Sequence, residues 1–119
     1  MGHEQTVRTY LQAMEKGDLA ATLACFAQGA TVQSPVYGQM PVEPFYERLY
    51  GDTVTAKVDI RNVYRASDSD IHWAAHFDYE WTKTDGKSLA STLVDLFRFD
   101  ASSGLIAHLE IIFDRGAMK

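Results

Sequence analysis

A change in hydrophobic period near residue 53 is the feature that most constrains the fold. Before it, apolar residues recur at helical spacing, and after it they alternate with polar residues as in half-buried strands. A stripe of four residues predicts a first helix over about residues 5–16: Val7, Tyr10, Leu11 and Met14. Helices first and strands last predict an α+β fold, in which three N-terminal helices pack on one face of a curved antiparallel sheet.

Two further helices are predicted before the change of period. Gly17 ends the first helix, and Asp18 is placed to cap a second one that Gly29 would break. A short strand then ends before Pro35, and a turn leads to a third helix over about residues 42–50.

Four segments of the second half alternate with period two. Their apolar positions begin at Val54, Trp73, Leu93 and Leu105. Asp85-Gly86, between the second and third segments, is a strong signal for a hairpin turn. The alternation of apolar and polar positions breaks at Val63, which predicts a bulge near Asn62.

Length, charge and cysteine content narrow the class of protein. With 119 residues the chain is predicted to form one domain over residues 1–119, and 46% hydrophobic with 23% charged residues is typical of a soluble protein. A net charge of −5 without a basic cluster disfavours nucleic acid and anionic membranes as partners. No signal-peptide pattern or long apolar run is found, and the lone Cys25 fits a reducing compartment, so we expect a cytoplasmic protein.

Asp95 is the unusual residue of the strand Ser91–Phe99. Side chains alternate along a strand, so Asp95 shares a face with Leu93 and Phe97. An ionised carboxylate there would lose its hydration, and it must be paired, hydrogen-bonded or protonated. Because such carboxyl groups concentrate at functional sites, we favour a functional role for Asp95 over a structural one.

The inward face of the predicted sheet is rich in aromatic residues. It carries Trp73, Phe77, Tyr79, Trp81, Leu93, Asp95, Phe97, Leu109, Ile111 and Phe113. This composition fits a deep apolar pocket for a flat hydrophobic ligand. It fits a solid aromatic core equally well, and the pattern alone does not separate the two.

The histidines do not form an obvious metal site. His72 and His76 lie four residues apart on one strand, roughly 13 Å, which is too far for both to bind one zinc ion. His76 and His108 could meet across strands on the outward face, beside Val94, Leu96, Ile106 and Ile112. A mixed apolar and histidine face fits a subunit interface better, so we expect no metal and a homodimer.

Several segments in order resemble the ketosteroid isomerase and SnoaL-like branch of the NTF2-like superfamily. They are Tyr10, Lys16-Gly-Asp18, Phe26–Pro35, Phe45-Tyr46 and Val94–Asp100 with its turn into Leu105-Ile106. The resemblance covers nearly the whole chain. It implies a conical α+β fold, a deep apolar pocket, no cofactor and a homodimer through the outer sheet face.

The resemblance also implies roles for individual residues. In the isomerases a tyrosine of the first helix and a protonated aspartic acid of a late strand donate hydrogen bonds to a dienolate oxygen. Tyr10 and Asp95 fall on these two positions, Tyr46 matches a further pocket tyrosine, and Phe26 stands where some members have another.

Ser34 departs from the isomerase pattern. The isomerases carry an aspartate general base immediately before the proline, whereas Ser34 precedes Pro35 here. Losing a positioned base costs typically about 10²–10⁴-fold in rate. Glu43, Tyr79 and Asp114 are the alternative candidates for a base.

The chain is therefore predicted to act on, or bind, a small hydrophobic carbonyl or enol compound. Tyr10, Asp95 and Ser34 are the candidate catalytic residues. The expected ligand-binding residues are Phe26, Phe45, Tyr46, Phe77, Tyr79, Leu93, Leu109 and Phe113. The alternative is a non-catalytic binding or dimerisation module with the same fold.

Overall fold

The computed structural model describes residues 2–113, and its elements follow the change of period. The helices are α1 (His3–Lys16), α2 (Leu19–Leu23) and α3 (Val42–Gly51), and the strands are β1 (Phe26–Ser34), β2 (Gly38–Pro41), β3 (Thr53–Arg65), β4 (His72–Lys83), β5 (Ser88–Phe99) and β6 (Ile106–Ile112). Within residues 2–113, no helix has the length and apolar character needed to cross a membrane.

Local sequence signals account for α1 and its end. The four residues of its predicted stripe are all buried against the sheet. Gly17 closes the helix in the left-handed conformation at φ 66°, which a residue without Cβ adopts at little cost. Asp18 then caps α2 by accepting a hydrogen bond from the Ala21 N–H at 3.1 Å.

The six strands form one sheet in the order β2-β1-β6-β5-β4-β3. The α+β prediction of three helices on a curved sheet is confirmed, but the sheet is mixed, because β1 pairs with β6 in parallel. The other strand pairs are antiparallel. A hairpin turn makes two strands that are neighbours in sequence pair in antiparallel fashion. Strands β1 and β6 are separated in sequence by α3 and four other strands, so no turn signal indicates their relative direction.

The predictions between residues 19 and 41 were wrong in detail. Helix α2 ends at Leu23, and β1 begins at Phe26, before the predicted end of the helix at Gly29. Gly29, at φ 78°, lies inside β1 next to a register shift and does not end a helix. The predicted turn before α3 contains the short strand β2. Segments this short span too few periods for helix and strand patterns to differ.

Strand β5 lies between β4 and β6 and alternates in burial as predicted. Leu93, Asp95 and Phe97 are buried on the inner face, whereas Leu96 is 39% exposed on the outer face. The predicted bulge near Asn62 is confirmed by a register shift in the pairing of β3 with β4. Ile106 was expected on the outer face but is fully buried, because the register with β5 shifts beside it.

Candidate functional site

Asp95 is a buried acid on the inner face of the sheet. Its side chain is 1% exposed, and neither carboxyl oxygen has a hydrogen-bond partner among residues 2–113. Its cross-strand neighbours are Ala75 on β4 and Ile111 on β6, which offer no polar side chain. Burial raises the pKa of Asp95 well above its ordinary value, which favours the neutral carboxylic acid over the carboxylate.

Two tyrosines form a hydrogen-bonded pair beside this acid. The hydroxyl groups of Tyr10 on α1 and Tyr46 on α3 hydrogen-bond to each other, and both side chains are fully buried. Burial, followed by the neighbouring Tyr46 and Asp95, raises the pKa of Tyr10 well above its ordinary value. The pKa of Tyr46 is raised mainly by burial and also by Asp95. Both phenols are therefore neutral hydrogen-bond donors.

A cavity of about 40 Å³ lies between the inner sheet face and the helices. Its polar lining groups come from Ser34, Tyr37, Tyr79 and Asp95. The rest of the lining is apolar or aromatic, with Phe45, Phe77, Trp81, Leu89 and Leu93 as the main buried members. An apolar chamber with a few polar groups is typical of a site for a small hydrophobic molecule.

Met14 contacts Tyr10 and also lines the cavity. Its side chain lines the cavity, and its Sδ atom lies 3.6 Å from the Tyr10 hydroxyl group. Tyr10 and Tyr46 themselves are not among the residues that line the cavity. A methionine side chain is unbranched and flexible, so Met14 can change its conformation beside Tyr10.

Ser34 lies at the cavity wall but its oxygen is already engaged. The side chain is 5% exposed, and Oγ accepts hydrogen bonds from the backbone N–H groups of Val36 at 3.0 Å and Tyr37 at 3.4 Å. These contacts hold the turn between β1 and β2. Both lone pairs of the hydroxyl oxygen are thereby used, which leaves the Ser34 oxygen poorly suited to accept a proton.

The structure divides the predicted ligand-binding residues into two layers. The residues that line the cavity are Phe45, Phe77, Tyr79, Leu93 and Phe113. Phe26, Tyr46 and Leu109 are buried behind this lining. The ring of Tyr46 packs edge-on against the lining residue Phe45, with 4.8 Å between ring centroids. The second layer therefore packs behind the lining and does not face the cavity.

Further residues line the cavity that were not among the expected ligand-binding residues. They are Met14, Val36, Tyr37, Leu49, Trp81, Leu89 and Ile111. Trp81 and Ile111 were predicted on the inward face, and Leu89 extends the same alternation along β5 and could have been found from it. Tyr37 lies two residues after Pro35 in a predicted turn, and no local signal indicates that its ring reaches the cavity.

The alternative base candidates receive little support from the geometry. Glu43 is exposed on α3 and does not line the cavity. Tyr79 lines the cavity, but burial raises its pKa, which disfavours the phenolate form that a base requires. Asp114 lies outside the described residues.

The outer sheet face carries the histidines, but not in the predicted arrangement. His76 pairs with Val94, which pairs with Ile112, whereas Arg98 separates His72 from His108. His76 and His108 therefore do not meet. In the part of the chain that the structure describes, no group of three or more His, Cys, Asp or Glu side chains is arranged to hold a metal ion.

Comparisons with known proteins agree on the type of fold. A family model described as a SnoaL-like domain matches residues 7–109. No curated protein sequence shows a significant match to the chain. Solved structures described as NTF2-like proteins are among those that match.

Three solved structures illustrate the range of relatives. A putative polyketide cyclase from Pseudomonas putida KT2440 has a TM-score of 0.84 at 18% identity, over 98% of this chain and 95% of that one. A protein with a ketosteroid isomerase-like fold from Catenulispora acidiphila DSM 44928, in complex with trimethylamine, has a TM-score of 0.78 at 18% identity, over 94% and 87%. A computationally designed 17-OHP binder has a TM-score of 0.78 at 16% identity, over 96% and 92%. At these identities the likeness shows the fold alone.

Proposed function

Because the chain belongs to the SnoaL-like domain family, we propose that its cavity binds a small hydrophobic molecule through that molecule's carbonyl or enol oxygen. The observation that carries the proposal is Asp95, whose two carboxyl oxygens are buried at an apolar cavity wall and have no hydrogen-bond partner among residues 2–113. A buried polar group without a hydrogen bond costs roughly 1–3 kcal/mol. A ligand oxygen that accepts a hydrogen bond from the Asp95 O–H group would remove that cost. The site would therefore select for ligands that carry such an oxygen.

We assign Tyr10 the role of a second donor. In the tyrosine pair, Tyr46 would donate to the Tyr10 oxygen, and the Tyr10 hydroxyl group, which donates to Met14 Sδ at 3.6 Å, would donate to a ligand instead. The Tyr10 hydroxyl group reaches the cavity once Met14 swings aside, since Met14 contacts Tyr10 and lines the cavity. Two neutral donors on one oxygen favour the enol or enolate form of a ligand over the ketone.

Ser34 favours binding over efficient isomerisation. An isomerase must remove a proton from carbon before the two donors can stabilise a dienolate, and the Ser34 oxygen accepts two backbone hydrogen bonds. We therefore propose that the protein is a ligand-binding member of the family with weak or absent isomerase activity. The second candidate, an isomerase or cyclase, requires a base that the substrate or an additional residue supplies.

Binding of 2-naphthol, a fluorescent phenol, tests the role of Asp95. We expect Asp95→Leu, which keeps the shape but removes the donor, to weaken binding by about tenfold or more. Tyr64→Phe is the matched control, because Tyr64 is 52% exposed on β3 and its ring does not line the cavity. Equal affinity of wild type and Asp95→Leu would refute the assignment.

Isomerisation of a β,γ-unsaturated ketone tests the role of Ser34. We expect little or no turnover by the wild type and a higher rate in Ser34→Asp. The absorbance of the conjugated enone product measures both rates. Tyr10→Phe in the Ser34→Asp background should reduce that gain, because one oxyanion donor is worth about 10²–10³-fold in comparable sites. Fast wild-type turnover would show that another residue is the base.

We also propose that the protein is a cytoplasmic homodimer that pairs through its outer sheet face. That face, defined by His76, Val94, Leu96, His108 and Ile112, exposes Leu96 at 39% and Ile112 at 44%. Exposed apolar side chains on a sheet favour burial against a second copy. The single cysteine of the sequence fits a reducing compartment and so supports the cytoplasmic location.

A further inference from the structure

The cavity is too small for the ligands that its chemistry suits. Its volume is about 40 Å³. That is room for a few water molecules, whereas a dry cavity that accepts a benzene ring measures about 150 Å³. A ring therefore enters only if part of the wall moves.

The partly exposed residues of the lining identify the wall nearest to solvent. Four lining residues are partly exposed, namely Val36, Tyr37, Ile111 and Phe113, whereas the other members of the lining are buried. Asp95 is among the buried members. A ligand on its way to Asp95 therefore passes the partly exposed side chains first.

Tyr37 is the residue among these four that has a polar group, and two interactions hold its side chain in place. Its hydroxyl group donates a hydrogen bond to Oδ2 of Asp52 at 2.8 Å. The guanidinium carbon of Arg48 lies 4.3 Å from the centre of the Tyr37 ring, within the range of a cation–π contact. We call Tyr37, Arg48 and Asp52 the Tyr37 clasp.

The clasp joins a loop to a helix. Tyr37 lies in the turn between β1 and β2, while Arg48 is in α3 and Asp52 follows its end. The Tyr37 ring also packs edge-on against Phe45, another lining residue, with 5.6 Å between centroids. Opening the clasp would therefore uncover the cavity without unfolding a helix or a strand.

We propose that the Tyr37 clasp is the gate of the cavity. A ligand enters when the hydroxyl bond to Asp52 breaks and the Tyr37 ring swings out, and the ring of the ligand then occupies the released space. The identity of the ligand rests on the proposed function, but the gate itself is a property of the protein without ligand.

A closed gate reduces the apparent affinity. If only a fraction of molecules is open, the apparent dissociation constant is the intrinsic constant divided by that fraction. Loosening the clasp without removing the ring should therefore tighten binding and speed association. Tyr37→Phe and Asp52→Ala both remove the same hydrogen bond and leave the aromatic ring in place.

The ligand-free test uses the fluorescence of Trp81, which lines the cavity and is 3% exposed. Trp73→Phe provides a background in which Trp81 is the only tryptophan of the sequence. We expect Tyr37→Phe and Asp52→Ala each to raise acrylamide quenching about two- to fivefold, and the double variant to raise it no further. Tyr64→Phe should leave quenching unchanged. Unchanged quenching in Tyr37→Phe, or effects that add in the double variant, would overturn the proposal.

The ligand test uses 2-naphthol and stopped-flow fluorescence. We expect Tyr37→Phe to raise the association rate constant and lower the dissociation constant by about three- to tenfold, since a single hydrogen bond to a carboxylate is lost. Unchanged association in a variant that binds naphthol would overturn the gate. If quenching rises as expected but no variant binds naphthol, the gate stands and the proposed function fails.

Discussion

Asp95 and Asp78 lie on neighbouring strands of the same sheet, but they face opposite sides. On the inner side, burial alone raises the pKa of Asp95. On the outer side, hydrogen bonds from Arg61 and then Thr92 lower the pKa of Asp78, which is 41% exposed. The same side chain is thus shifted towards the neutral acid on one face and towards the carboxylate on the other. The surroundings, and not the residue type, set the chemistry available on each face.

The largest contrast between the faces is expected in packing. Phe97→Ala should lower the free energy of unfolding by about 3–5 kcal/mol, because the buried ring leaves a cavity on the inner face. Glu80→Ala, an exposed position on the outer face of β4, should stay within about 0.5 kcal/mol of wild type. Urea denaturation of both variants measures the contrast, and equal losses would contradict it.

A second contrast concerns the pH dependence that Asp95 produces. Its raised pKa means that the folded state holds a proton which the unfolded state has released. The free energy of unfolding should therefore fall as the pH rises from about 4 towards the folded-state pKa, with a limiting slope of about 1.4 kcal/mol per pH unit. Above the folded-state pKa the penalty is constant. Asp95→Asn should lack this slope, as measured by denaturation at a series of pH values.

At pH 7, Asp95→Asn should be as stable as the wild type or more stable, because it removes a group that favours the unfolded state. A strongly destabilised Asp95→Asn would indicate instead that Asp95 is ionised in the folded protein and paired with a cation.

The proposed dimer would reduce the difference between the faces by covering the outer one. Leu96→Asp should weaken association by about tenfold or more, since a charge would be buried in the interface. Val54→Asp is the control, because Val54 is 62% exposed on β3 but lies outside the proposed interface. Sedimentation at micromolar concentration measures both, and a monomeric wild type would rule out the interface.

The smallest effect is expected from Asp78→Asn. The pKa of Asp78 is lowered in the folded protein, so its carboxylate stabilises the fold at pH values above the ordinary pKa of 3.8. This stabilisation is lost as the pH falls through the lower folded-state pKa. The loss of stability in Asp78→Asn should therefore be small at neutral pH, shrink in strong acid and shrink in 1 M NaCl. A loss that is independent of pH and salt would point to packing.

Residues placed by local sequence patterns could be predicted, whereas residues placed by contacts between distant segments could not. Residues such as Leu93 and Phe77 could be assigned to the cavity because alternation within one strand fixes which side they face. Tyr37 could not, since its place at the cavity depends on a turn held by Ser34 and on a hydrogen bond to Asp52, fifteen positions along the chain.

The α+β order of elements, the two faces of β5 and the burial of Asp95 could be predicted from the sequence, because hydrophobic period is a local property of the chain. The parallel pairing of β1 with β6, the contact of Met14 with both Tyr10 and the cavity, and the cavity volume of about 40 Å³ emerged from the folded structure alone. These features depend on how segments far apart in sequence fill space against one another. No local pattern reports that packing.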